Sequence, residues 1–387
     1  MRIASGLLAG LLGLARITSL AEADTIASDT TTHSNASVSP DDGWPDASPF
    51  LDSSYGFLPI LVPITEPAVG YGAAGGLAFI DKPPGGGEAG FGRPNITMLG
   101  GLATENGTWG ALVGDLRHWK GDRLQTLVAV LYVSANLDFY GIGDDPTLEH
   151  GLRYNLEPKG FLLRAKYRIG PRARTWAGLG YMYSATDVAF EAPESTLGLP
   201  DYDKRADLGG ITPSLSFDSR DNFFTPLKGT YVDVTGRFFG PALGGDDVFE
   251  IATIIVMQYV PLGPQLFMGV RGDAKASFGD APFYMLPFIS LRGAPILRYQ
   301  GEAVAQSELE LRWQCWRRFS LVGFGGWGVA WSEFNHFETG QRTIGTGGAG
   351  FRYELARRYG IHAGVDLAFG PDETAIYVQM GSAWARP

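Results

Sequence analysis

Between Ser290 and Trp313 the chain reads SLRGAPILRYQGEAVAQSELELRW. The first part is an aperiodic Arg-Gly loop holding Arg292 and Gly293, and the last part alternates strictly. Successive strand side chains point to opposite faces, so Glu308, Glu310 and Arg312 share one face and Leu309, Leu311 and Trp313 the other. This grouping offers charge to be paired and no nucleophile. Residues suited to bond making are arranged less purposefully elsewhere. His33, His118, His150, His336 and His362 are scattered, without metal-ligand spacing. Cys315 is the lone cysteine and alternates with Leu311 and Trp313, as a small apolar residue does. The two G-x-G-x-x-G strings, at Gly70–Gly75 and Gly345–Gly350, lack the strand-before and helix-after that a dinucleotide site requires. Serines occur without a nucleophile elbow. The expectation is therefore a protein that is not an enzyme, with no cofactor and no metal.

The elements that must position the charged face follow from composition. The chain has 387 residues, a net charge of −10, 54 glycines and 12% aromatics. Residues 1–23 read as a signal peptide: Arg2 supplies the positive end, Leu7 to Leu14 the apolar run, and Ala21-Glu22-Ala23 the small-x-small cleavage site. Its removal takes two positive charges and one negative, leaving an exported acidic chain that is a poor partner for nucleic acid. Residues 24–48, rich in Ser, Thr and Asp, read as a disordered polar segment. Residues 49–387 read as one domain.

Alternation recurs through that domain. In FLLRAKYRI, Arg164, Lys166 and Arg168 oppose Phe161, Leu163, Ala165, Tyr167 and Ile169. In TYVDVTGRF, Asp233, Thr235 and Arg237 oppose Val232, Val234 and Phe238. In LFMGVRGDAK, Arg271, Asp273 and Lys275 oppose Met268, Val270 and Ala274. In LQTLVAVLYVSANLDF, Leu127, Ala129, Leu131, Val133, Ala135 and Leu137 share a face opposite Thr126, Tyr132, Ser134, Asn136 and Asp138. These runs match the roughly 9–11 residues that a tilted strand needs to cross a bilayer. Aromatics cluster near strand ends (Trp109 and Trp119, Trp327 and Trp331, Tyr377 and Trp384), where interfacial girdles sit. In hydrocarbon every backbone polar group needs a partner, so strands span only as a closed barrel. The fold class expected is all-β, an outer-membrane-type antiparallel β-barrel of about sixteen strands, with apolar faces toward lipid and polar faces toward a wet lumen.

Several motifs then resemble one family. DSRDNFFTPLKG carries Asp218, Arg220, Asp221, Pro226 and Gly229 in the pattern of the hairpin found in the BamA/TamA outer-membrane insertase superfamily, the bacterial surface antigens. LRG, with Arg292 and Gly293, resembles the tip of that family's inward-folded sixth extracellular loop. FYGIGDD, GAGFRYELA and GVDLAFG are similar to further family segments. AIYVQMGSAW, with Tyr377, Gly381 and Trp384, resembles its closing strand. The resemblance covers roughly residues 50–384. It departs in offering no soluble POTRA domains before the barrel, and in placing Gly326 where the family often has a carboxylate.

The resemblance implies that Arg292 docks on acidic groups of the barrel wall. With Gly326 unable to serve, Glu308 and Glu310 are the best partners, and Asp366 a more distant one. The alternative is that these groups line an aqueous lumen independently. Gly326 and Gly328 would leave room for a loop against the wall. The Asp218 hairpin reads as a salt-bridged periplasmic turn with a scaffolding role. The resemblance further implies location in the bacterial outer membrane, contact with its lipids, and assistance to insertion or translocation of client proteins or lipids. A passive pore or structural barrel plugged by the Arg292 loop is the competing reading. Accessory lipoproteins are not legible in the sequence.

Overall fold

The computed structural model describes residues 38–39, 42–49, 58–81, 95–142, 151–170, 174–190, 204–222, 224–332 and 340–384. The signal peptide, most of the polar segment, His33, His150, His336 and the end of FYGIGDD lie outside the described residues.

Seventeen strands follow in order: β1 (Leu58–Glu66), β2 (Gly70–Asp81), β3 (Asn95–Thr104), β4 (Trp109–Trp119), β5 (Leu124–Phe139), β6 (Leu152–Arg168), β7 (Thr175–Phe190), β8 (Lys204–Ile211), β9 (Ser214–Asp218), β10 (Gly229–Phe239), β11 (Phe249–Pro261), β12 (Leu266–Gly279), β13 (Ala303–Trp316), β14 (Phe319–Trp331), β15 (Gln341–Ala356), β16 (Ile361–Phe369) and β17 (Thr374–Met380). β8 and β9 both pair with β7 and with β10, so they are two halves of one wall strand broken before Pro213. Proline has no N–H for a ladder, which is reason enough for the break. The strands thus fill sixteen wall positions, the number expected. Every neighbouring pair in chain order is antiparallel, from β1–β2 round to β16–β17. Strands β1 and β17 lie beside each other, with no paired register between them among the described residues.

The outward face is apolar. Leu99, Val113, Phe161, Leu163, Leu309 and Leu311 are exposed, while Lys166, Glu308 and Arg312 on the intervening positions are buried inside. Strand β5 departs from expectation. Leu127, Ala129, Val133, Ala135 and Leu137 point inward and are buried, and Val128 and Val130 point out. They join two interior apolar clusters. One spans β1 to β5, from Val62 and Ala74 to Leu127 and Ala129. The other brings Val133, Leu137, Tyr154 and Ile251 against Tyr284, Met285, Phe288 and Leu297. These last four belong to the 23-residue connection after β12, which folds into the lumen. The lumen is therefore apolar where the base of the loop packs, along β5–β8 and β10–β11, and charged along β12–β16.

Two further expectations change. Tyr377 and Trp384 do not stand at the membrane interface: the Tyr377 hydroxyl reaches the loop inside, and Trp384 is buried within the barrel. The polar segment was expected to be unstructured through residue 48, yet residues 42–49 seat on the rim. Asp42 and Asp46 pair with Arg318 between β13 and β14, Ala47 N donates to Leu355 O, and Trp44 packs edge-on against Trp316 at 5.2 Å.

Candidate functional site

The site forms where the loop tip meets the charged wall. Strict alternation on β13 aims Gln306, Glu308 and Arg312 inward, and β16 aims Asp366 inward. Gly293 turns the loop tip with φ +89°, and a Cβ there would meet the Phe369 and Gly370 backbone at 3.0–3.2 Å. Only glycine accommodates both the left-handed backbone and that approach. Leu291 lies over Gly326 and Ile289 over Gly328, where added Cβ atoms would meet their side chains at 3.0 and 2.8 Å.

At the tip, Arg292 meets all three carboxylates named from the sequence. Its Nε donates to Glu308 Oε1 at 2.6 Å, and Nη1 donates to Asp366 Oδ2 at 2.8 Å. Glu310 Oε2 is 2.8 Å from Nη1, an ion contact off the hydrogen-bond direction. The guanidinium also stacks on Phe324, 3.6 Å from the ring centroid. Asp366 is fully buried and takes a second arginine: Arg352 Nη1 donates to Oδ1 at 2.5 Å and Nη2 to Oδ2 at 2.8 Å. Charges this far from water persist only when paired and hydrogen-bonded.

Sequence reasoning missed the rest of the anchorage. Gln306 Oε1 accepts from Ser290 N at 2.6 Å, and its Nε2 donates to Asp273 Oδ2 at 2.7 Å. Its parity with Glu308 and Glu310 was the available signal. The loop also touches both strands at the ends of the sheet. Gly293 N donates to the Tyr377 hydroxyl on β17 at 3.1 Å, and Ile296 N donates to Glu66 Oε1 on β1 at 3.1 Å. Trp384, past Gly381 (φ +72°), donates from Nε1 to Glu308 Oε1 at 3.2 Å. No periodicity points to these contacts, because each joins segments distant in the chain.

The Asp218 hairpin closes the opposite end. Arg220 holds Asp218 through two bonds of 2.9 Å and packs over Tyr231. Asp221 Oδ1 accepts from Leu227 N and Lys228 N. Pro226 is buried, and Gly229 takes φ +109°. The hairpin also crosses the mouth of the barrel: Asn222 Nδ2 donates to Tyr359 O at 2.9 Å, and Phe224 O accepts from Ser382 N at 2.6 Å. His118 is buried in β4 and His362 lies in β16. Among the described residues no group of His, Cys, Asp and Glu is placed to hold a metal.

Residues 118–289 match the model of the Omp85 superfamily domain. No curated protein sequence matches the chain. Among solved structures, BamA from Haemophilus ducreyi lacking POTRA domains 1-3 is similar with a TM-score of 0.57 and 13% identity, over 84% of this chain and 68% of that one. CdiB from Escherichia coli gives 0.58 and 10%, over 83% and 61%. CdiB from Acinetobacter baumannii gives 0.54 and 8%, over 84% and 59%. The chain thus spans about three fifths of either CdiB, and at these identities the likeness is one of fold. Together with the apolar outer face and the sixteen-position wall, these findings describe an outer-membrane-type β-barrel that carries an Omp85 superfamily domain match over residues 118–289.

Proposed function

We propose that the barrel assists insertion or translocation of client proteins or lipids at the outer membrane by parting at the β1–β17 seam, with the Arg292 loop as its clasp. One observation carries the reading: the loop tip donates to Tyr377 on β17 and to Glu66 on β1, while Arg292 anchors it to β13 and β16. Strands joined by a ladder hold through a bond at nearly every residue. Here the described seam strands share no such register, and two single hydrogen bonds from one loop span them. Arg292 shares the anchorage of the tip with Arg298 and Tyr299, which both bond Asp372, and release of the tip would remove both seam bonds together. Clasp and seam thus act as one mechanical unit, which a client entering between β1 and β17 would have to displace.

The test is depletion of the protein followed by quantitative outer-membrane proteomics and lipid analysis, paired with planar-bilayer conductance. Selective loss of other barrels or of surface lipids is expected. Steady ohmic conductance with an unchanged membrane would instead make the barrel a passive pore. The apolar packing between the loop and β5, β6 and β11 argues against such a pore, since a packed interior leaves no water column for ions.

A further inference from the structure

The arginines at the charged wall differ in what holds them. Arg292 has three carboxylates and Arg352 has Asp366. Arg312, on the same face of β13 as Glu308, has neither hydrogen bond nor ion pair among the described residues. It is 7% exposed, its guanidinium carbon lies 5.1 Å from the Phe267 ring centroid, and Glu310, Glu354 and Asp221 act on it only from beyond ion-pair distance. Burying a guanidinium without an anion in contact costs several kcal/mol, and the longer-range carboxylates offset only part of that.

Arg312 lines a cavity of about 20 Å³ beneath the Asp218 hairpin. Thr225 of that hairpin lines it too, and its buried Oγ1 has no hydrogen-bond partner. Ser382 closes one side, and Tyr259, Phe267 and Met268 give it an apolar flank. Two unsatisfied groups, one of them a donor only, therefore converge on one small space. Glu308 and Asp366 are held by Arg292 and Arg352, so no carboxylate stands within ion-pair distance of Arg312 among the described residues. Glu310 also borders the cavity, but Arg292 holds its Oε2 at 2.8 Å.

We propose that this cavity is an oxyanion site: Arg312 pairs with the terminal oxygens of a carboxylate or phosphate group, and Thr225 donates to one of them. Guanidinium geometry suits two such oxygens side by side. The volume is little more than one water needs, so only the anionic tip enters and the rest of the ligand stands at the mouth. A water molecule would satisfy Thr225 but bring no charge into contact with Arg312. The site does not depend on seam opening and goes beyond the function proposed above.

The test uses the full-length barrel, purified without phosphate and titrated calorimetrically with sodium phosphate or sodium acetate at constant ionic strength. Saturable one-site binding is expected. Arg312→Gln should weaken it by about ten- to a hundredfold, and Thr225→Val by about two- to fivefold, from the usual strengths of charged and neutral hydrogen bonds. Unsaturable heats, or equal affinity in wild type and Arg312→Gln, would overturn the proposal. Should Arg312→Gln fail to fold, the Thr225→Val comparison decides alone. A second arm separates sources: the barrel is reconstituted in phosphatidylcholine bilayers with and without phosphatidic acid. If a lipid headgroup is the occupant, phosphatidic acid weakens phosphate binding to wild type; if a free solute is, phosphate affinity stays the same in both bilayers.

Discussion

Replacing Arg292 by alanine is the sharpest perturbation of the clasp. It strands Glu308, 2% exposed, and removes one of two arginines from fully buried Asp366. Breaking a buried ion pair from one side costs about 3–5 kcal/mol, because the remaining charge is left in a poorly solvating interior. Arg352 still holds Asp366, and Glu310 retains some contact with water, so the lower figure applies. At 1.4 kcal/mol per factor of ten, about 3 kcal/mol raises the undocked population of the loop roughly a hundredfold. The Ser290–Gln306 bond and the packing of Ile289 and Leu291 remain, so the change is local and the barrel persists. When opening is fast relative to cleavage, protease nicking follows the open population. Nicking within residues 280–302, measured on purified outer membranes, should therefore rise about a hundredfold. Arg292→Lys should fall between, since one ammonium cannot present a fork to three carboxylates. Adding Glu308→Gln to Arg292→Ala should recover part of the loss, because it removes the stranded charge. Nicking at the wild-type rate in Arg292→Ala would refute the reasoning and leave the three carboxylates as independent lumen groups.

Gly326→Val and Gly328→Val should each displace Leu291 or Ile289 and cost about 1–3 kcal/mol of overpacking, read as faster nicking; Gly325→Val, whose Cβ meets only Thr346 O at 3.8 Å, is the silent control. Val128→Lys places a charge on the outward face of β5 and should cost up to about 2–4 kcal/mol in bilayer stability, depending on depth. Leu137→Asn tests the inward face of that strand: a packed interior predicts a loss of about 2–5 kcal/mol and a lower heat-modifiability midpoint, whereas a wet lumen predicts no change. The rim segment should respond to acid. Hydrogen bonding from Arg318 lowers the Asp42 carboxyl to about 2. Asp46 is lowered as well, burial pushing it up but Ser48 and Arg318 outweighing that. A depressed folded value contributes stability above the unfolded one and loses it as pH falls through the folded one. Docking of residues 42–49, followed by pepsin sensitivity, should hold at pH 5 and fail between pH 4 and 2. Release already at pH 5 would show that these ion pairs do not hold the segment.

The wall was legible because lipid imposes a rule on every second residue. β6, β10, β12 and β13 each show charge against grease, and all four face as the alternation says. On β5 the same rule gave the wrong face. Val128 and Val130 interrupt the polar set, so both faces are apolar over the middle of the strand and period alone cannot rank them. Arg292, Glu308, Glu310 and Asp366 were within reach of sequence because a family motif names the arginine and alternation names the acids. Tyr377 to Gly293, Glu66 to Ile296 and Arg318 to Asp42 were not. The last joins residues 276 positions apart and holds down a segment whose polar composition points to disorder.

The misread face of β5 and the inward fold of the loop are one physical fact. A 23-residue connection that enters a barrel must bury its own apolar side chains somewhere. Tyr284, Met285, Phe288 and Leu297 need an apolar wall, and β5, β6, β7 and β11 supply one through Leu137, Leu156, Val188 and Ile251. Arg292 needs the opposite, and β13 and β16 supply it. A lumen charged all round would leave the loop's base without partners, and a lumen apolar all round would expel its tip. The split wall fixes the loop in one orientation, and that orientation carries Gly293 and Ile296 to the two strands of the seam. Mutations on the apolar side, far from any charge, should therefore loosen the clasp as surely as those at Arg292 itself.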